Sequence, residues 1–156
     1  MEHDKREDAV ARFGDMVWRL ALARMASVPD AEDVFQEVFL RYFRHENDFE
    51  SDEHRRAWLI RCTINRTKSA LTAPWRRRVL PLEIAADLGV REENREVYAA
   101  VLALPPKYRT VVHLHYYEGF SVAEIAAHLG CAEGTVKAQL HRARAKLKEA
   151  LRDVEL

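Results

Sequence analysis

The chain has 156 residues, 25 Lys and Arg against 25 Asp and Glu, and 48% apolar residues. That is enough apolar matter for one domain or two small ones, and it excludes a disordered tail or a uniformly basic nucleic-acid coat. Only five glycines, an abundance of Ala, Leu, Arg and Glu, and few strand signals point to an all-α protein. The charge is segregated. Between Asp30 and Glu53 acids outnumber Arg41 and Arg44, whereas from His54 to Arg78 there are Lys and Arg but no acid. Such blocks suit two partners of opposite charge. No signal-peptide pattern and no apolar run of membrane-span length are present, so a cytoplasmic protein without membrane insertion is expected. Cys62 and Cys131 are far apart and read as free thiols. His113 and His115 do not share a helix face, and Cys131 with His128 or His141 is too sparse for zinc, so no metal and no cofactor is expected.

Residues 7–26 read as a first helix with Phe13, Val17, Leu20, Ala21 and Met25 inward. A turn at Pro29 follows, with Asp30 as the expected cap of a helix over 31–44 and Glu32 and Asp33 at its positive end. Val34, Phe35, Val38, Phe39 and Tyr42 form the apolar side of that helix. Its other side carries Asp33, Gln36, Glu37, Leu40 and Arg44. A leucine ringed by polar groups is either a protein-partner anchor or a sign of a helix buried more than halfway round.

Residues 45–52 form a polar loop around Phe49, which either tucks into the core or helps to hold an unstacked base. A third helix over 53–71 turns Ile60, Ile64, Thr67 and Leu71 inward and Trp58, Arg61, Cys62, Asn65, Lys68 and Ser69 outward. An aromatic, an amide and flanking cations on one face suit opened DNA strands. The plainer reading packs Trp58 on the first helix and leaves the arginines solvated.

Pro74, Pro81 and Gly89 weaken the periodicity over 73–94, which reads as a linker with a brief helix at 82–88. About fifteen extended residues span ~50 Å, enough for two domains to sit on separate pieces of DNA. The second domain starts near Glu96 with Val97, Ala100, Val101 and Leu104 on one face. Pro105-Pro106 ends that helix and seeds the next, over 107–118, which Gly119 stops.

The last third carries the sharpest signal. Ser121 and Glu124 form a capping box, Ile125, Ala126 and Leu129 give one apolar face, and Gly130 stands at the helix end. After a short turn, Val136, Leu140, Ala143, Leu147 and Leu151 form the stripe of a second helix. Opposite lie Ala138, His141, Arg142 and Ala145, with Lys137 and Lys148 on a flank and no acid from Gly134 to Lys148. This is the layout of a helix-turn-helix: small residues admit the backbone to the major groove and cations reach bases and phosphates. The bland alternative is a solvated basic face.

Taken together, the chain resembles a bacterial RNA polymerase sigma factor of the extracytoplasmic-function type, over nearly its whole length. DAEDVFQEVFLRYFR, residues 30–44, resembles the helix that grips the polymerase clamp. RAWLIRCTINRTKSAL, residues 56–71, resembles the promoter-melting helix that reads the minus-10 element. Residues 104–147 resemble the minus-35-reading domain, with Glu124-Ile125-Ala126, Gly134-Thr135-Val136-Lys137 and Arg142-Ala143-Arg144 in register.

The resemblance implies two small helical domains joined by a short linker: residues 1–72 for core polymerase and the minus-10 element, 73–95 as linker, and 96–156 for the minus-35 element. It implies core polymerase contacts at Asp33, Gln36, Glu37, Leu40 and Arg44. It places a flipped base at the Phe49 loop and the minus-10 strand along Trp58, Arg61, Asn65 and Lys68. Lys137, Ala138, His141 and Arg142 face the minus-35 element, with Arg109 and Thr135 near phosphates.

Two features depart from the family pattern. Ala132 stands where a hydroxyl residue often caps the recognition helix, and the linker is short. No N-terminal inhibitory region is seen, so control by a separate anti-sigma protein is an expectation from the family alone. The expected partners are therefore core RNA polymerase, promoter DNA and an anti-sigma factor, with no small-molecule substrate and no enzymatic activity. The alternatives are a helix-turn-helix regulator that never joins polymerase, and a helical metal or redox protein using the cysteines and histidines.

Overall fold

A computed structural model describes residues 2–45, 49–71 and 81–152. Arg76, Arg77 and Arg78 of the basic run, and Pro74, lie outside the described residues, as does part of the loop before Phe49. Among the described residues every regular element is helical: α1 (Glu2–Met25), α2 (Val28–Arg44), α3 (Asp52–Leu71), α4 (Pro81–Asp87), α5 (Glu92–Ala103), α6 (Pro106–Val112), a π turn (His113–Tyr117), α7 (Val122–Leu129) and α8 (Glu133–Leu151).

α1 is the central post. Its inward residues Val17, Leu20 and Ala21 are fully buried, and α2 and α3 pack against it through Val38, Leu59 and Ile60. The end of α1 is set by Ala26, whose φ of 52° is left-handed although it is not glycine. That conformation costs roughly 1 kcal/mol, and it turns the chain at once into α2. The cap of α2 is Ser27 and not Asp30: the Ser27 hydroxyl accepts from the Asp30 N–H at 3.4 Å, and Pro29 occupies the first turn. The cap of α2 therefore stands three residues before the acid expected to provide it. Asp30 instead sits in the first turn, where a negative charge meets the positive helix end.

The stretch read as a linker carries α4, close to the brief helix expected there, and α4 packs on α5 with Ile84 and Ala85 buried. α5, α6, α7 and α8 form a second group around Val101, Val111, Leu114, Ile125, Val136 and Leu140. The helix expected over 107–118 is split. After Val112 the Glu118 N–H donates to the His113 carbonyl, a five-residue step, at 3.1 Å. One extra residue is thereby inserted before Gly119, whose φ of 76° turns the chain toward α7.

The two groups are not held apart. α6 and the π turn pack on α1, and α7 packs on α3, so the buried apolar residues of both groups form one continuous core.

Candidate polymerase and promoter surfaces

Three surfaces carry the residues singled out above. On α2, Asp33, Gln36, Glu37, Leu40 and Arg44 are all exposed, while Val34, Val38 and Phe39 are buried beneath them. Leu40 is 50% exposed, one of the few large apolar side chains left in water. The helix is buried on one side only, so the halfway-buried reading of Leu40 fails. Arg66 of α3 reaches across to Glu37, with Nε donating to Oε2 at 2.7 Å. Cys62 lies half-buried close to this pair. Burial pushes its thiol up, with Arg41 and Arg66 nearby pulling the other way, so it stays protonated and packs as a small hydrophobe.

The second surface is aromatic. Phe49 stacks on Tyr42 with ring centres 5.4 Å apart and on His45 at 4.9 Å. Trp58 meets Phe49 and Tyr42 edge-on, each at 5.9 Å. The loop aromatic and the helix aromatic thus belong to one cluster at the junction of α2 and α3. Trp58 packs into that cluster. Both rings remain half-buried, so each keeps an accessible side. Along the same helix Arg61, Asn65 and Lys68 are exposed. Arg61 and Arg56 also lie near His128 of α7. Burial first, and then these cations, lower the His128 pKa below its ordinary value.

The third surface is the helix-turn-helix. The capping box is complete: the Ser121 hydroxyl accepts from the Glu124 N–H at 3.1 Å and the Glu124 carboxylate accepts from the Ser121 N–H at 3.0 Å. Gly130 has φ 68°, the left-handed position that ends α7. The N-cap residue of α8 is Ala132, which gives no side-chain cap. Val136, Leu140 and Ala143 are buried, Ala138 is half-buried, and Thr135, Lys137, His141 and Arg142 face solvent on one accessible side. Arg144 is engaged elsewhere: its Nε donates to the Tyr116 hydroxyl at 2.6 Å.

One assignment is corrected. Arg109 is 1% exposed and cannot reach a phosphate in this arrangement. Its guanidinium donates through Nη2 to the Arg24 carbonyl at 2.6 Å, through Nη1 to the Leu104 carbonyl at 2.9 Å, and through Nε to the Ala23 carbonyl. It satisfies the last carbonyls of α1, which have no partner within their own helix.

Around it lies a seam that sequence reading did not foresee. Arg24, 7% exposed, donates to Thr67 Oγ1 of α3 at 2.9 Å and to Thr110 Oγ1 of α6 at 3.0 Å. Burial lowers its pKa to about 10, so it remains charged at neutral pH. Glu118, with a side chain 3% exposed, accepts both Arg19 nitrogens at 3.0 and 3.1 Å. Arg56 of α3 donates to its main-chain carbonyl at 3.2 Å, and His113 Nε2 lies 3.1 Å from Oε2. The π turn brings His113 and Glu118 onto one side. Burial alone raises the Glu118 pKa, but His113 and Arg19 outweigh it and hold the carboxyl below its ordinary value.

Helices throughout the described residues, one with an exposed acidic face, one aromatic and basic, and a helix-turn-helix are the features of a DNA-binding transcription protein. Comparison makes this specific. Residues 9–77 match sigma-70 region 2 and residues 94–147 match sigma-70 region 4. The ECF RNA polymerase sigma factor SigW of Bacillus subtilis is 28% identical over 98% of this chain and 92% of its own length. SigL, the ECF RNA polymerase sigma factor of Mycobacterium tuberculosis, is 33% identical over 89% of this chain and 84% of its own. Among solved structures, CnrH in complex with the cytosolic domain of CnrY aligns with a TM-score of 0.69 at 30% identity, covering 99% of this chain and 91% of CnrH.

The chain belongs to the extracytoplasmic-function sigma factors of the sigma-70 family. As an RNA polymerase sigma factor it binds core polymerase and directs promoter recognition and the initiation of transcription. The reading as a regulator that never joins polymerase is not favoured.

Proposed function

We propose how the work is divided along the chain. Residues 1–72 hold core polymerase through Asp33, Gln36, Glu37, Leu40 and Arg44 of α2 and receive the opened minus-10 strand on Phe49, Trp58, Arg61, Asn65 and Lys68. Residues 96–156 read the minus-35 element through Thr135, Lys137, Ala138, His141 and Arg142, with residues 73–95 connecting the two. The observation that carries the first assignment is the half-exposed Leu40 amid exposed polar side chains. An apolar anchor inside a polar ring is the layout of a binding hot spot.

The stacked Tyr42–Phe49 pair and Trp58 offer flat faces to an unstacked base, worth about 1–3 kcal/mol per base. The role is positional: no bond is made or broken by the chain, which acts in the cytoplasm alongside polymerase. Because CnrH is seen with the cytosolic domain of CnrY, an anti-sigma protein is proposed as a third partner here. Transcription with purified core polymerase on a promoter library tests the whole assignment. Substitutions on α2 should remove all initiation, and those on α8 should change which promoters are used.

A further inference from the structure

A cavity of about 620 Å³ opens beside Arg19, lined from α1, α5 and the turn before it, and the π turn. Its size is that of a small-molecule site, roughly 300–1,000 Å³. None of its lining residues belongs to the three surfaces described above, so the work assigned to those surfaces leaves it unused.

Its walls are aromatic: Trp18 of α1, Tyr98 of α5 and Tyr117 of the π turn. The two tyrosine rings meet at 86° with centres 5.5 Å apart, so they make a corner and not a flat stack. Tyr117 also stacks on His113 at 5.8 Å, and Trp18 meets Phe35 edge-on at 6.2 Å. These contacts hold the rings in place beforehand, so little side-chain freedom is left to lose on binding. Aromatic rings set at different angles around one space form a cage, whose negative ring faces draw a cation.

The charges point the same way. Among the described lining residues, Asp15 and Arg19 are the charged ones. Arg19 is committed, since Nε and Nη2 donate to the two Glu118 carboxylate oxygens at 3.0 and 3.1 Å. The hydrogen bond to Glu118 raises the Arg19 pKa, burial works against it, and the charges of Glu118 and Asp15 add to the rise. A guanidinium paired in this way offers little to a second anion. Asp15 is exposed and gives the cavity a carboxylate. Leu88, Val90 and the exposed Val97 make the rest of the lining apolar. A primary ammonium is strongly hydrated, whereas alkyl groups weaken that hydration and suit the ion to an aromatic cage.

We propose that this cavity binds a small organic cation, an alkylated ammonium carrying an apolar body, with the ammonium against Trp18, Tyr98 and Tyr117 beside Asp15 and the body against Leu88, Val90 and Val97. Binding needs neither polymerase nor DNA, so its outcome is independent of the assignments proposed above.

The test titrates three probes into the 156-residue chain by calorimetry: choline, its neutral isostere with carbon in place of the ammonium nitrogen, and benzyltrimethylammonium. Choline should bind about tenfold more tightly than the isostere, and benzyltrimethylammonium more tightly than choline. Tyr117→Leu should weaken both cations about tenfold. Asp15→Asn should weaken the cations and leave the isostere unchanged. Asp8→Asn, which removes another exposed acid of α1 outside the cavity, should change neither. Circular dichroism checks helix content, and the exposed Asp15 keeps the test open should Tyr117→Leu lose helix.

Equal affinity for choline and its isostere overturns the proposal. So does a choline affinity that folded Tyr117→Leu leaves intact, or one that Asp15→Asn and Asp8→Asn lower alike. Failure of both cations to bind overturns it as well.

Discussion

The guanidinium of Arg109 closes the end of α1 by donating to the main-chain carbonyl of Arg24 at 2.6 Å, and the Arg24 side chain in turn bridges Thr67 and Thr110. Two arginines from distant parts of the chain thus complete each other's surroundings. Replacing Arg109 by Met keeps most of the bulk and leaves buried carbonyls unpaired. Such groups cost about 1–3 kcal/mol each, so Arg109→Met should lower the urea midpoint clearly. Arg109→Lys should recover only part of the loss, because a lysine cannot span three carbonyls as a fork does. Full recovery by lysine would show that the fork geometry is unimportant.

Ala132 starts the recognition helix with extended φ and ψ of −75° and 150° and no side-chain acceptor. Ala132→Ser supplies the missing hydroxyl without moving the backbone. It should stabilise the protein by about 1 kcal/mol, read as a rise in thermal midpoint. No gain would mean that the first N–H groups of α8 are already satisfied.

On α2, Glu37→Lys with Leu40→Ala should reduce core binding at least tenfold, about 1.4 kcal/mol, in co-purification and titration. The fold should hold. Leu40 is half in water, and the Glu37–Arg66 pair is a surface one worth at most about 1 kcal/mol. Normal core binding by a folded double variant would remove α2 as the partner face.

Arg142→Ala should cost about 1–3 kcal/mol on a cognate promoter and relax preference at the minus-35 position. Lys137→Ala should weaken every sequence alike if it meets only phosphate. Competition binding on cognate and scrambled duplexes separates the two, and an equal loss on both for Arg142→Ala would count against base reading there.

Acid should loosen the seam. The Glu118 carboxyl faces Arg19 from α1, Arg56 from α3 and His113 from its own turn, with Tyr98 and Tyr117 nearby. Its pKa is depressed on folding from 4.5, so its stabilising contribution is complete above 4.5 and is lost as pH falls through the lower folded value. His128 works in the same direction at milder acidity. It is held neutral beside Arg56 and Arg61, and protonation below its depressed pKa adds a third cation to that cluster. The urea midpoint followed from pH 7 downward should therefore decline, and Glu118→Gln should remove the carboxyl's share of that decline.

By itself the sequence determined most of the helices and the helix-turn-helix. Capping boxes, left-handed glycines and apolar stripes act over about four residues, so Ser121–Glu124, Gly130 and the Val136–Leu140–Ala143 stripe could be read in place. The exposed polar side of α2 was legible for the same reason, although its cap was misplaced from Ser27 to Asp30, because two good capping residues stand three apart. The tertiary structure alone decided the seam. Arg109 meets the Ala23 carbonyl 86 positions away and Arg19 meets Glu118 across 99, separations that leave no periodic trace. An arginine in a helix reads as a surface cation until the fold lays a neighbour's unpaired carbonyls against it. Only the packing of α6 on α1 turned a residue expected to touch phosphate into the one that closes the end of the first helix.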